Sequence, residues 1–198
     1  MKNLVKAAAL SAVLIGGTAA AAHADLITNG GFETGDFTGW TRGGNLGATF
    51  VGNSPNAPHS GNFAAELGPV GSDGTLAQTF ATIIGDTYQV SYWHIYNAAA
   101  TPPSDFSVTF NGTTLFSEAN VNPPSPLTWT QYTFDVIASL ASSTLQFAFR
   151  NDPSYQGLDD VSVTDLGTPG TVPEPSSLAL FGAALAGFGF MARRRRHA

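Results

Sequence analysis

Cysteine is absent from the chain, and charge is scarce. Without cysteine there can be no disulfide framework, no thiolate zinc site and no thiol nucleophile. Charged residues are only 11% of the 198 positions, against about a quarter in an ordinary globular protein. So little charge excludes a coiled coil, a highly charged disordered chain and a basic nucleic-acid binder. No HExxH, GxSxG or P-loop spacing occurs, which leaves the commonest metalloprotease, serine-hydrolase and nucleotide-binding patterns without a foothold. What the chain does have is 22 glycines, 12 prolines and 43% hydrophobic residues. Its length gives one domain of ordinary size room for a core.

The two ends read as address labels. Met1-Lys2-Asn3-Leu4-Val5-Lys6 is cationic, Ala7 to Ala22 is small and apolar, and Ala22-His23-Ala24 forms an A-x-A cleavage site. Together they predict a signal peptide over 1–24, recognised by the Sec export machinery and signal peptidase, with Asp25 as the new N-terminus. At the other end Ser177 to Ala192 carries no charge, and Arg193, Arg194, Arg195 and Arg196 follow directly. A helix over this stretch would reach ~24 Å, short of the ~30 Å hydrocarbon core. Snorkelling arginines or a thinned bilayer close the gap. The arginines place the C-terminus in the cytoplasm and the preceding chain outside.

Pro173-Glu174-Pro175, the apolar stretch behind it and the terminal arginine cluster resemble a PEP-CTERM sorting signal. The resemblance covers about the last 27 residues, within a linker and tail over 169–198, and it implies recognition by an exosortase-type membrane protease near that triplet. The two prolines make the triplet rigid, extended and non-helical, a backbone shape that a protease cleft accepts. The expected itinerary is export, residence as an inner-membrane-anchored protein, then processing toward the cell surface or extracellular space.

Between the labels lies a strongly acidic segment. Only Arg42 and Arg150 are basic between Asp25 and Val172, and all acidic residues except Glu174 fall there. Such a surface repels nucleic acid and anionic lipid and tolerates divalent cations. Apolar residues alternate with period two through Phe63–Leu67, Tyr88–Tyr96, Phe106–Phe110, Tyr132–Val136, Leu145–Phe149 and Val161–Val163. Glycine-, proline- and asparagine-rich turns separate them, and Asn111-Gly112 has hairpin chemistry. The pattern predicts an all-β fold of about eight strands, a single β-sandwich of jelly-roll type over 25–168. A signal peptide and a C-terminal transmembrane helix are expected to flank it.

Asn29-Gly30-Gly31-Phe32-Glu33 through Gly39-Trp40 is similar to the opening of galactose-binding-like, carbohydrate-binding-module-type sandwiches. Gly157-Leu158-Asp159-Asp160-Val161 is similar to their closing strand, and Leu76–Phe80 and Tyr88–Tyr92 fit the middle. In that group the first and last strands usually lie side by side, which would bring Glu33 and Asp159 together. The resemblance implies a structural calcium on these two acids, with Asp160 as substitute for Asp159 and backbone carbonyls completing the ligands. The competing reading leaves both acids in solvent or bonded within turns.

Three tryptophans are candidates for stacking a sugar ring. Trp40 in the opening motif reads as core, and Trp129, after a proline-rich loop, reads as a packing anchor. If Tyr88, Val90 and Tyr92 point inward, Trp93 shares the outer face with Gln89 and Ser91 and becomes the leading ligand residue. Tyr96 and Tyr155 are weaker candidates near loops. His94 reads as a packed strand residue. Asp86, Asp105, Asp135 and Asp152 show no spacing that argues for the carboxylate pair of a glycosidase. The expected function is a non-catalytic carbohydrate-binding-like surface protein associated with exopolysaccharide. A matrix protein without a glycan ligand is the second reading, and a hydrolase is the third.

Overall fold

In the computed structural model, residues 24–96, 102–121 and 126–168 are described, and every regular element among them is a strand. Residues 1–23 of the expected signal peptide, the Pro-Glu-Pro triplet, the apolar tail and the arginine cluster lie outside the described residues.

The strands are β1 (Thr41–Gly44), β2 (Thr49–Gly52), β3 (Ala64–Leu67), β4 (Gly74–Ala81), β5 (Thr87–Tyr96), β6 (Ser104–Phe110), β7 (Thr113–Ala119), β8 (Thr130–Ile137), β9 (Ser142–Asn151) and β10 (Gln156–Gly167). They form two five-stranded antiparallel sheets, ordered β1-β4-β9-β6-β7 and β2-β3-β10-β5-β8. Alternation decides the central strands. Every second residue of β5, β6 and β9 is buried, as one apolar face against the opposite sheet requires. Tyr92 of β5 meets Phe147 of β9 edge to face, ring centroids 5.3 Å apart, and also reaches Phe106 of β6. This aromatic contact joins the two layers of the sandwich.

Ten strands stand among the described residues where about eight are expected from the sequence. The strands that leave no clear pattern in the sequence are β1, β2 and β7, short or outermost strands whose burial does not alternate cleanly. An outermost position alone does not erase the pattern, since β8 alternates cleanly at its sheet edge; β1 and β2 are four residues each, too short to write one, and the pairing of β7 with β6 shifts register partway.

β10 departs from simple alternation in a way that matters for the site. Its pairing with β5 shifts between Asp159 and Ser162, and Asp160 has φ of 47°, the left-handed conformation of a bulge residue. The bulge turns Leu158 and Val161 both into the core although they are an odd number of residues apart. Asp159 and Asp160 are left together on the outside of the sheet. The opening segment runs along this strand: Leu26 N donates to Val163 O, and Val161 N donates to Gly30 O. First and last segments therefore do lie side by side.

β5 spans about 30 Å from end to end at ~3.3 Å per residue. At one pole the turns 82–86 and 137–141 meet beside Gly167. The opposite pole gathers the end of β5 and the starts of β6, β8 and β10.

Candidate functional site

Three carboxylates converge on the loop 59–63. Glu33 accepts hydrogen bonds from Asn62 N (2.8 Å), Asn62 Nδ2 (3.2 Å) and Phe63 N (3.0 Å). Asp159 accepts from His59 N, Ser60 N and Asp160 N, while Asp160 accepts from His59 Nδ1 (2.6 Å) and Ser60 Oγ (2.7 Å). Gly31 sits among them: a Cβ built there would lie 3.5 Å from Asp160 Oδ1, 3.8 Å from Glu33 Cγ and 3.9 Å from Asp159 Oδ1. The backbone N–H groups on Glu33 hold its carboxyl below the usual range. Asp159 is fully buried, and burial pushes it up to about 6. Among the described residues, no three acidic or histidine side chains are arranged to hold a metal ion. The side chains alone therefore do not make a cage, and the carboxylates fasten a loop to the sheet through hydrogen bonds.

The loop carries His59 onto Trp93. Alternation on β5 leaves Trp93 on the outer face, with Tyr88, Val90 and Tyr92 fully buried on the other. The His59 ring stacks on the indole at 3.7 Å, and Trp129 stands edge-on to His59 at 6.0 Å. Trp129 donates from Nε1 to Ala57 O and lies over Gly157, where a Cβ would come within 2.8 Å of its ring. One face of Trp93 is thus already occupied by the protein.

Next to these rings the end of the sandwich opens. A cleft of about 80 Å³ is lined by residues that include His94, Tyr96, Glu118, Thr130 and Tyr132. Tyr96 Oη donates to Glu118 Oε1 at 2.6 Å. Burial raises the Glu118 carboxyl above its ordinary value, with the Tyr96 bond opposing. His94 Nδ1 lies 3.8 Å from the same oxygen, but burial drives its imidazole down to about 4. Near neutral pH His94 is uncharged, so this contact is polar packing and not an ion pair. Apolar lining beside one carboxyl group suits a neutral ligand with C–H surface and hydroxyl groups.

The structure sorts the sequence candidates. Glu33, Asp159 and Asp160 come together, as the adjacency of opening and closing segments requires. Trp93, Tyr96 and Tyr155 do not form one platform. Tyr96 is only 7% exposed and turned toward Glu118, and Tyr155 packs edge-on against Phe50. Trp40 is core, stacked on Phe32. His59 and Glu118 escape a reading of the sequence, because each reaches its site by a loop path or a strand pairing distant in the chain. The inward placement of Tyr132 was readable from its alternation with Phe134 and Val136.

Residues 24–155 match the family model described as a carbohydrate binding domain, and residues 171–196 match the PEP-CTERM protein-sorting motif. No curated protein matches the chain. Among solved structures, TmCBM61 in complex with beta-1,4-galactotriose superposes with a TM-score of 0.55 at 21% identity, covering 72% of this chain and 99% of that one. A cyclase from Fischerella sp. TAU gives 0.55 at 15% identity over 74% and 99%. The K3 cleaved adhesin domain of Lys-gingipain from Porphyromonas gingivalis gives 0.51 at 16% over 71% and 99%. At these identities the structures speak for the fold, which binding modules, adhesins and enzymes share. The sorting motif implies export and processing at a membrane anchor. The chain belongs to the carbohydrate binding domain family, with a PEP-CTERM sorting motif behind that domain.

Proposed function

We propose that the sandwich is a non-catalytic glycan-binding module and that the cleft at the end of β5 is where it binds. The observation that carries the reading is the Tyr96–Glu118 pair in a cleft that Tyr132 and Leu127 also line. Glu118 offers acceptor lone pairs to sugar hydroxyls, and Tyr132, Val121 and Leu127 along the lining offer apolar surface to sugar C–H groups. Trp129 and Trp93, on the adjoining outer face, extend the surface for a longer chain. Glu118 is the one carboxyl among the described lining residues, whereas glycoside hydrolysis uses two; this favours binding over turnover.

The sorting motif supports a protein exported by the Sec route, held at the inner membrane with its C-terminus cytoplasmic, and processed by an exosortase-type protease at Pro173-Glu174-Pro175. The ligand that fits this itinerary is the exopolysaccharide of the producing cell. Calcium belongs to the same proposal. Glu33 and Asp159, or Asp160 in its place, supply hard oxygen donors around Gly31, and main-chain carbonyls would complete the set. Bound there, the ion would neutralise acids that no lysine or arginine faces.

The test is retention of the mature protein on its host's exopolysaccharide. Free polysaccharide should compete, and Glu118→Gln should weaken retention by about tenfold, the loss of one charge-assisted hydrogen bond. Equal retention of the variant and the parent protein would remove the cleft from the binding site.

A further inference from the structure

Four large aliphatic side chains project from the pole opposite the cleft. Ile83 is 61% exposed, Ile84 65%, Ile137 62% and Leu140 53%, with Leu166 beside them at 42%. They are neighbours in space. Gly85 N donates to Ala138 O, Ala138 N to Asp86 O, and Thr82 N to Ala141 O, which binds the two turns into one tip. Thr87, between the turns and β5, pairs with Ile137 on one side and Gly167 on the other. Single exposed aliphatics are ordinary on a protein surface, but a contiguous group at the tips of adjoining turns is not.

Both chain ends leave at this pole. Asp25 bridges Thr164 in antiparallel sense, so the chain before it is directed toward Leu166. At the other end Thr168 Oγ1 donates to Asp86 Oδ1 at 2.7 Å, inside the turn that carries Ile83 and Ile84. The apolar stretch 177–192, which the sorting-tail reading makes the anchor, is therefore joined through residues 169–176 to the pole that exposes these residues. Residues 169–176 span at most about 30 Å when extended.

We infer that the 82–86 and 137–141 tips dock on the lipid surface while the chain is anchored. The inference rests on the sorting-tail reading for the anchor, and on the tips themselves for the contact. Docking is by apolar insertion. The acids around the pole are Asp25, Asp86, Asp135 and Asp165, and the two basic residues of the described chain are elsewhere: Arg150 is bonded to Asp152 at the far pole, and Arg42 lies over Phe37. Anionic lipid therefore exerts no pull on this pole, and a zwitterionic surface suits it. The hydrogen bonds between the two turns, with that of Asp86 N to Ile83 O, leave few bare amides to carry into the interface.

The absence of cysteine makes a clean test possible. The full chain would be reconstituted in phosphatidylcholine vesicles with a nitrobenzoxadiazole probe on Ile84→Cys, or on Ser72→Cys at the far pole as control. The expected result is a blue-shifted emission at position 84, quenched by lipids spin-labelled near the headgroup, with a water-like spectrum at position 72. Adding Ile83→Ser, Ile137→Ser and Leu140→Ser should return position 84 to the water-like spectrum and leave vesicle flotation unchanged. A chain that floats with vesicles while position 84 stays water-like overturns the docking inference alone. A chain that does not float overturns the anchor reading and this inference with it. A shift that scales with the protein-to-lipid ratio, or that needs a second membrane protein, replaces lipid by a protein partner and overturns the inference as well.

Discussion

The imidazole of His59 lies face to face with the indole of Trp93, ring centroids 3.7 Å apart and planes 16° from parallel. A loop residue thus covers the aromatic that β5 alone would present to solvent. The Asp160 contact at 2.6 Å holds the imidazole in place. His59→Ala should cost about 1 kcal/mol, the usual worth of such a ring pair, read from the urea midpoint. It should also raise acrylamide quenching of tryptophan emission. Unchanged quenching would mean that the loop shields Trp93 without its histidine.

Glu66 is buried beneath the segment around Asn56, accepting from Asn56 N (2.9 Å) and Asn56 Nδ2 (2.7 Å). Burial lifts its carboxyl from 4.5 to about 7. The folded state therefore holds this proton more tightly than the unfolded state. Its stabilising effect is complete below pH 4.5 and lost as pH rises to about 7. Glu66→Gln should remove that dependence, so the stability difference between variant and parent should shift by on the order of 2–3 kcal/mol between pH 4.5 and 8. Asp159 drifts in the same direction and His94 in the opposite one, but both are common to the two proteins. Parallel stability curves across this range would refute the prediction.

Calcium should raise the melting temperature of the protein at pH 7.5 relative to chelator, and Glu33→Gln or Asp159→Asn should abolish the rise. Asp159 without a cation is lifted to about 6, so the calcium effect should fade as pH drops to 5 and the ligand is protonated. Identical melting with calcium and chelator would leave the three carboxylates as loop fasteners only.

Tyr92 is wholly buried, and its hydroxyl has no hydrogen-bond partner among the described residues. Burial, with Tyr132 and Glu118 nearby, pushes its ionisation far up. Removing a buried unsatisfied hydroxyl without changing ring shape should be neutral to stabilising. Tyr92→Phe is expected to gain about 1 kcal/mol in urea unfolding. A loss of that size would show that the hydroxyl is satisfied, for instance by water from the cleft.

How much of this was legible in the sequence depends on where the information sits. Tyr88, Val90 and Tyr92 announce which face of β5 is core because a central strand is buried on one side and must alternate. The convergence of Glu33 and Asp159 was legible through the motifs at the two ends of the domain. The β10 bulge was not, since Asp159-Asp160 looks the same whether or not the strand slips by one residue. Nor was His59 on Trp93, because a loop that crosses a sheet leaves no periodic trace. Glu118 sits on β7, the edge strand whose weak pattern hid it, and only its pairing with Phe106 of β6 brings it to Tyr96.

Strand β5 begins at the pole where both chain ends leave and finishes at the cleft. If the cleft binds glycan as proposed, copies held side by side by their tails would offer many clefts to one polymer at once. Many weak sites so gathered grip a long polymer far more firmly than the same sites in solution. Cutting the tail would leave each cleft as it was and dissolve the array. Release would then loosen the hold on a polysaccharide through valency, with no change in the affinity of a single site.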